Sequence, residues 1–313
     1  MLGSARLDFL GAALHAGQVT FFKATHTGAR VLMPPVPFIL IADDFGLSKG
    51  ISDAILDLLS KNRLSGTGSM VNQPGWAADA VAFKPFMGQR DLGLHLTLTL
   101  GAPLGLAPTL APEGQFLPLS SLMAKCFLNG IPRREFRDEI IRQIEAFKAA
   151  TGRFPDFIDG HQHVHVLPVI RRALFEAVEI VNPQRKPWLR VPSDHVGSIM
   201  ARGVSIGKAL FISLLSTGFA REAKRHGYRV NDTFSGVRSF DPHADFAREF
   251  QRFLLVNGKR HLVMCHPGVS DAALAAIDPV TTARDQEYEF FKSDEFESML
   301  SAFSMRVSRF DEL

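Results

Sequence analysis

Two carboxylates stand side by side at the end of one apolar run, and imidazoles close three others. Pro37-Phe38-Ile39-Leu40-Ile41-Ala42 runs into Asp43-Asp44-Phe45-Gly46, and Asp91-Leu92-Gly93-Leu94 runs into His95. Phe157-Ile158-Asp159-Gly160 runs into His161, with His163 and His165 at two-residue steps, and Leu262-Val263-Met264-Cys265 runs into His266-Pro267-Gly268. An Asp with two His is a common ligand set for a hydrolytic divalent metal. Such an ion lowers the pKa of a bound water and polarises a carbonyl, so these residues point to metal-assisted hydrolysis. Successive strand residues face opposite ways. Of Asp43 and Asp44, one can therefore bind metal while the other takes protons, and Gly46 lets the chain turn sharply after them. Either acid could instead cap the next helix, but Ser48 stands closer and fits the cap. His161, His163 and His165 share one side if the chain stays extended. Same-face neighbours lie roughly 7 Å apart, too far for two rings to share one ion easily. One is read as a ligand and another as a support behind the ligands or a substrate contact. His266, at a strand end before a Pro-Gly turn, suits a general acid for a leaving group.

Strands ending in Asp or His deliver polar atoms to the rim of a parallel sheet, where α/β enzymes build their sites. The spacing predicts strands over 38–42, 67–71, 92–98, 157–161, 188–191 and 261–265, with a last one over 303–307. Amphipathic stretches between them predict helices over 50–61, 75–83, 134–151, 168–180 and 199–226, a helix ending at 257, and mostly helix over 281–301. Residues 101–118, rich in Pro, Gly and Leu, read as a long loop of the kind that forms lids or substrate walls. The apolar stretch 207–219 is too short to span a membrane and suits a buried helix. Strand and helix alternate without a composition break, which predicts one α/β domain with a parallel sheet, barrel-like or doubly wound. No Gly-x-Gly-x-x-Gly follows a strand and no Gly-Lys-Ser/Thr loop occurs, so a nucleotide is not indicated.

The chain has 313 residues, 46% hydrophobic and 21% charged, enough for a sizeable core. A formal net charge of +3 with scattered cations argues against a nucleic-acid partner. Two cysteines, Cys126 and Cys265, make no disulfide framework and fit a reducing cytoplasm. Residues 1–36 lack a secretory core and read as an N-terminal extension: a disordered arm, a short amphipathic segment, or an over-extended start, since Met33 just precedes the first strand. Trp76, Trp188 and Phe234 could stack on a substrate's rings, and Arg190, after Trp188-Leu189, could orient Asp43 or a substrate oxygen.

Four ordered motifs resemble the YdjC-like carbohydrate deacetylase family, with its chitooligosaccharide and hopanoid-associated branches. They are Ala42-Asp43-Asp44-Phe45-Gly46-Leu47-Ser48, Gly93-Leu94-His95-Leu96-Thr97, Asp159-Gly160-His161-Gln162-His163-Val164-His165 and Met264-Cys265-His266-Pro267. The resemblance implies a distorted (β/α) barrel of the polysaccharide-deacetylase type over residues 37–313. It implies a divalent metal on Asp44, His95 and His161, with Asp43 as general base and His266 as acid. His163, His165 and Arg190 would be substrate contacts or supports. It also implies N-acetyl hydrolysis on an N-acetylglucosamine-type saccharide, free or lipid-linked. The resemblance favours Mg²⁺, while two imidazoles also suit Zn²⁺. Asp159-Gly160-His161 stands where many members have Asp-Ser-His, which leaves the ligands intact. A homodimer is left open.

Overall fold

The computed structural model describes residues 34–128, 130–255 and 258–313. The expected N-terminal extension lies outside these except for its last three residues. Apolar runs of alternating phase form β1 (Val36–Phe45), β2 (Gly66–Ser69), β3 (Asp91–Leu96), β4 (Phe157–Gly160), β5 (Trp188–Leu189), β6 (Thr233–Ser235), β7 (His261–Cys265) and β8 (Met305–Val307). They lie in the order β5-β4-β3-β2-β1-β7-β6, with β8 beside the start of β1, and every pairing is parallel. The two sheet edges meet. Leu189 bridges Val230 in parallel, and the Asn231 amide accepts from the Val191 N–H at 2.7 Å and donates to the Val191 carbonyl at 2.9 Å. A side-chain amide thus stands in for a missing peptide and closes a distorted (β/α) barrel.

Strand alternation sorts the core into two layers. Ile39, Ile41, Phe157, Trp188, Phe234, Leu262 and Met264 pack together inside with Phe310. Phe38, Leu40, Ala42, Leu92, Leu94, Ile158, Leu189 and Val263 pack outward under the helices. Trp188 stacks on Phe157 at 4.4 Å and on Phe310 at 4.6 Å, flooring the barrel. Gly93 makes room for this stack, because a Cβ there would fall 2.3 Å from the Phe157 ring. Trp76, Trp188 and Phe234 are all buried in the core, so they offer no sugar platform; as large apolar rings they fill the barrel and the helix layer instead.

The helix expected over 199–226 is three: Val196–Arg202, Ile206–Leu215 and Phe219–Arg225. Left-handed glycines break it, Gly203 at φ 68° and Gly218 at φ 79°, a conformation that terminates helices. The middle helix is not buried as expected. Phe211 and Leu214 are 50% and 69% exposed. Ser48 caps helix Lys49–Ser60 by accepting from the Ile51 N–H. Residues 101–118 form no strand and, until Leu119, no helix, but a further helix, Leu119–Phe127, follows them. That loop is stapled to helix Arg133–Thr151, where Glu135 accepts from the Thr109 and Leu110 N–H groups and Glu139 from that of Leu104. Among the described residues no helix is long and apolar enough to cross a membrane.

Candidate active site and metal centre

In β1, β4, β5 and β7 the inward phase continues past its apolar residues into a polar layer at the C-terminal rim, at Asp43, Asp159, Arg190 and His266. In β1, Ile39 and Ile41 are followed on the same side by Asp43. Alternation would send Asp44 to the opposite face, but its φ is 69° and the β1–β2 register shifts between Ala42 and Phe45. This bulge turns both carboxylates into one cavity. In β3 the inward phase reaches His95, paired in register with Asp159 of β4. Gly68 of β2 leaves the space beside them, since a Cβ there would lie 3.2 Å from His95 Nδ1 and 3.3 Å from Asp159.

β4 ends at Gly160, and the histidines beyond it are not on an extended strand. His161–Val166 is a tight turn with Gln162 at φ 53° and His163 at φ 59°. The turn folds His165 back so close to Gly160 that a Cβ there would meet its Nδ1 at 3.0 Å. His165 Nε2 donates to the Arg190 carbonyl at 2.9 Å. His161 and His163 line the cavity, whereas His165 does not. One turn therefore gives three histidines three different surroundings.

Asp44, His95 and His161 offer ligand atoms that all lie within 4.8 Å of one another. His161 Nδ1 stands 3.0 Å and His95 Nε2 3.3 Å from the same Asp44 oxygen. His95 Nδ1 is 2.7 Å from Asp159, an arrangement that fixes the ring and leaves Nε2 for an ion. A second cluster, Asp43, His95 and Asp159, also has ligand spacing, but Arg190 already fills it. Its guanidinium hydrogen-bonds both Asp43 oxygens at 2.6 and 2.7 Å and forms an ion pair with Asp159 at 2.7 Å. Arg190 is fully buried and faces no substrate. Arg284 holds the other Asp44 oxygen at 2.7 Å and Asp278 at 2.7 Å. Four carboxylates around two guanidiniums leave an excess of two negative charges, which one divalent cation would balance. The donor set, its spacing and this charge all fit a single metal ion.

Titration follows the contacts. Burial raises Asp43, with Arg190 only partly offsetting it. Burial alone would also raise Asp44, but Arg284 and His161 overcome it and hold that carboxyl well below its ordinary range. For His95 burial opposes charge, yet Asp159 and Asp43 outweigh it and bring the imidazole up to about 10. Burial keeps His163 and His266 well below 6.5 and His165 down at about 4. His266 Nε2 stands 3.9 Å from Asp43, its ring edge-on to Phe240 at 5.0 Å. The cavity above has a volume of about 390 Å³; Leu119, Met123, Phe211, Leu215, Phe240 and Ile277 form much of its apolar wall.

Three site residues escape a sequence reading. Asp159 lies in plain view, in phase with Phe157 on β4. Arg284 sits inside helix Thr282–Lys292 and Asp278 in the turn before it, where nothing in the local pattern marks a partner.

The fold and rim define an α/β barrel with a hydrolase-type site. A profile of the YdjC-like protein family matches residues 37–302, and the chain belongs to that family. It is 28% identical to a Mus musculus carbohydrate deacetylase over 75% of this chain and 79% of that one. It is 27% identical to a Vibrio vulnificus carbohydrate deacetylase over 88% and 95%. A Serratia marcescens chitooligosaccharide deacetylase is 36% identical over 42% and 51%. A crystal structure from Enterococcus faecalis, described as a cellobiose-phosphate cleavage protein, shares the fold with a TM-score of 0.68 at 19% identity, covering 89% of this chain and 98% of that one.

Proposed function

We propose that this chain, with residues 37–313 as its catalytic domain, is a metal-dependent deacetylase. It removes the N-acetyl group from an N-acetylglucosamine-type saccharide, a chitooligosaccharide or a glycolipid head group, releasing acetate and a free amine. The observation that carries this reading is the convergence of Asp44, His95 and His161 beside a second buried acid, Asp43. Asp44, His95 and His161 would hold the ion, either Mg²⁺ or Zn²⁺. When bound, such an ion acidifies water and polarises the acetamide carbonyl.

The remaining roles fall to the chain. Asp43, clamped on both oxygens by Arg190, takes the proton of the attacking water; burial raises its pKa and so strengthens it as a base. His266 gives a proton to the departing nitrogen. Its ring rests neutral because it is buried, so the proton it delivers is gathered during the cycle, and Asp43, 3.9 Å away, can hand it on once substrate binding brings the two into hydrogen-bond reach. The His163 ring lies at the cavity wall to meet substrate, and the exposed side of Phe211 offers the pocket an aromatic face.

The test is acetate release from N-acetylglucosamine oligomers and from an N-acetylglucosaminyl lipid, alongside metal analysis of the purified protein. Asp43→Asn is expected to keep metal and fold and to lose turnover by about 10²–10⁴. Bound metal with no acetate from any such amide, or near-native turnover by Asp43→Asn, contradicts this reading.

A further inference from the structure

Among the described residues, none hydrogen-bonds the His266 ring. Nδ1 is buried without a partner, Nε2 stands 3.9 Å from Asp43, beyond hydrogen-bond range, and the nearest ring, Phe240, meets it edge-on at 5.0 Å. Its place depends on its backbone, and the backbone is held by a carboxylate. Glu287 accepts the His266 N–H on Oε2. Its Oε1 accepts from Arg238 Nη1 at 3.1 Å, and both residues are 1% exposed. A buried carboxylate is costly unless paired and hydrogen-bonded, and here Arg238, itself shared with Glu249 at 2.7 Å, meets that cost.

We propose that Glu287 is a positioning residue for proton delivery: by fixing the His266 peptide it sets where the imidazole stands over the reacting nitrogen. This rests on the reading of His266 as proton donor. Three residues before Glu287, on the same helix, Arg284 holds Asp44, and residues at this spacing share a helix face. Helix Thr282–Lys292 therefore grips the metal-side acid and the proton donor from one side. It grips the loop after β7 as well. The Gly268 N–H donates to the Arg284 carbonyl at 3.2 Å, and Ser270 donates its N–H and hydroxyl to Asp285, each at 2.7 Å.

The metal-loaded enzyme is compared with Glu287→Ala, His266→Ala and the double variant. Glu287→Ala is expected to lower kcat on an N-acetyl saccharide by about 10²-fold, the scale of a misplacement near 1 Å, with KM and metal content little changed. In the His266→Ala background the same substitution should cost nothing further, because residues that act through one another are not additive. On 4-nitrophenyl acetate, whose leaving group departs without a proton, Glu287→Ala should keep its rate. If Glu287→Ala does not fold, Glu287→Asp, with its carboxylate one methylene short, is measured in the same cycle. An undiminished loss in the His266→Ala background, or a full amide rate in the Glu287 variant, overturns the proposal. A full amide rate in His266→Ala alone instead overturns the assignment of the proton donor.

Discussion

Asp43 and Asp44 are chain neighbours that titrate in opposite directions, one raised by burial and one held down by Arg284 and His161 against burial. Their difference comes from partners more than 100 residues away in sequence, which is why the pair was legible but the division of labour between its members was not. Asp159 is the informative omission. Its place on β4, two residues before His161 and in phase with Phe157, already put it on the cavity side, yet only the register with His95 gives it a task. By holding His95 Nδ1 it keeps Nε2 turned toward Asp44. Asp159→Asn is therefore expected to weaken metal binding by about 10–100-fold without abolishing it. Since the metal-free His95 holds its proton up to about 10, binding must displace that proton and should tighten as pH rises. Competition with a chelator at two pH values measures both effects. Unchanged affinity in the variant would remove Asp159 from the metal site.

Elements were read well where a period of two ran into a polar residue, because alternation alone then decides which side chain reaches the rim. The bend after Gly160 was beyond that logic: positive φ at Gln162 and His163 is uncommon for such residues and is held here by the fold, not by local preference. The breaks at Gly203 and Gly218 did carry a signal, since glycine favours the left-handed end of a helix, but a continuous apolar stretch masked it. Glycine inside a strand marks close approach more reliably. At Gly93 an added methyl would sit 2.3 Å from the Phe157 ring that floors the barrel. Gly93→Ala is expected to destabilise the protein by about 1–3 kcal/mol through overpacking. Gly197→Ala, with nothing within 4 Å on helix Val196–Arg202, should be neutral or slightly stabilising. Urea unfolding of the two variants separates the cases, and equal midpoints would show that the floor can yield.

At the scale of the molecule, hydrophobic periodicity announced a parallel α/β fold but not its closure. Closure runs through the Asn231 amide and a bridge between Leu189 and Val230, contacts that no local pattern encodes. The strand beside that seam, β6, is tied to β7 by a buried histidine. His261 Nδ1 lies 2.8 Å from the Thr233 hydroxyl, and Nε2 lies 2.9 Å from the Phe253 carbonyl and 3.1 Å from the Ser235 hydroxyl. A neutral ring satisfies all three, donating from Nε2 and accepting at Nδ1. Burial holds its pKa down at about 3, against 6.5 when unfolded. Below pH 6.5 the unfolded chain therefore binds a proton that the native state refuses. The stability this histidine contributes is complete above about 6.5 and is lost as pH falls toward 3. Between pH 6.5 and 5 the loss should reach about 2 kcal/mol. Urea unfolding at both pH values, with chelator present so that metal release does not enter, measures it. In His261→Gln that share of the pH dependence should vanish, even though the variant starts from a lower stability. A variant that keeps the full acid slope would move the pH sensitivity of the barrel away from the β6–β7 seam and onto the carboxylates of the rim.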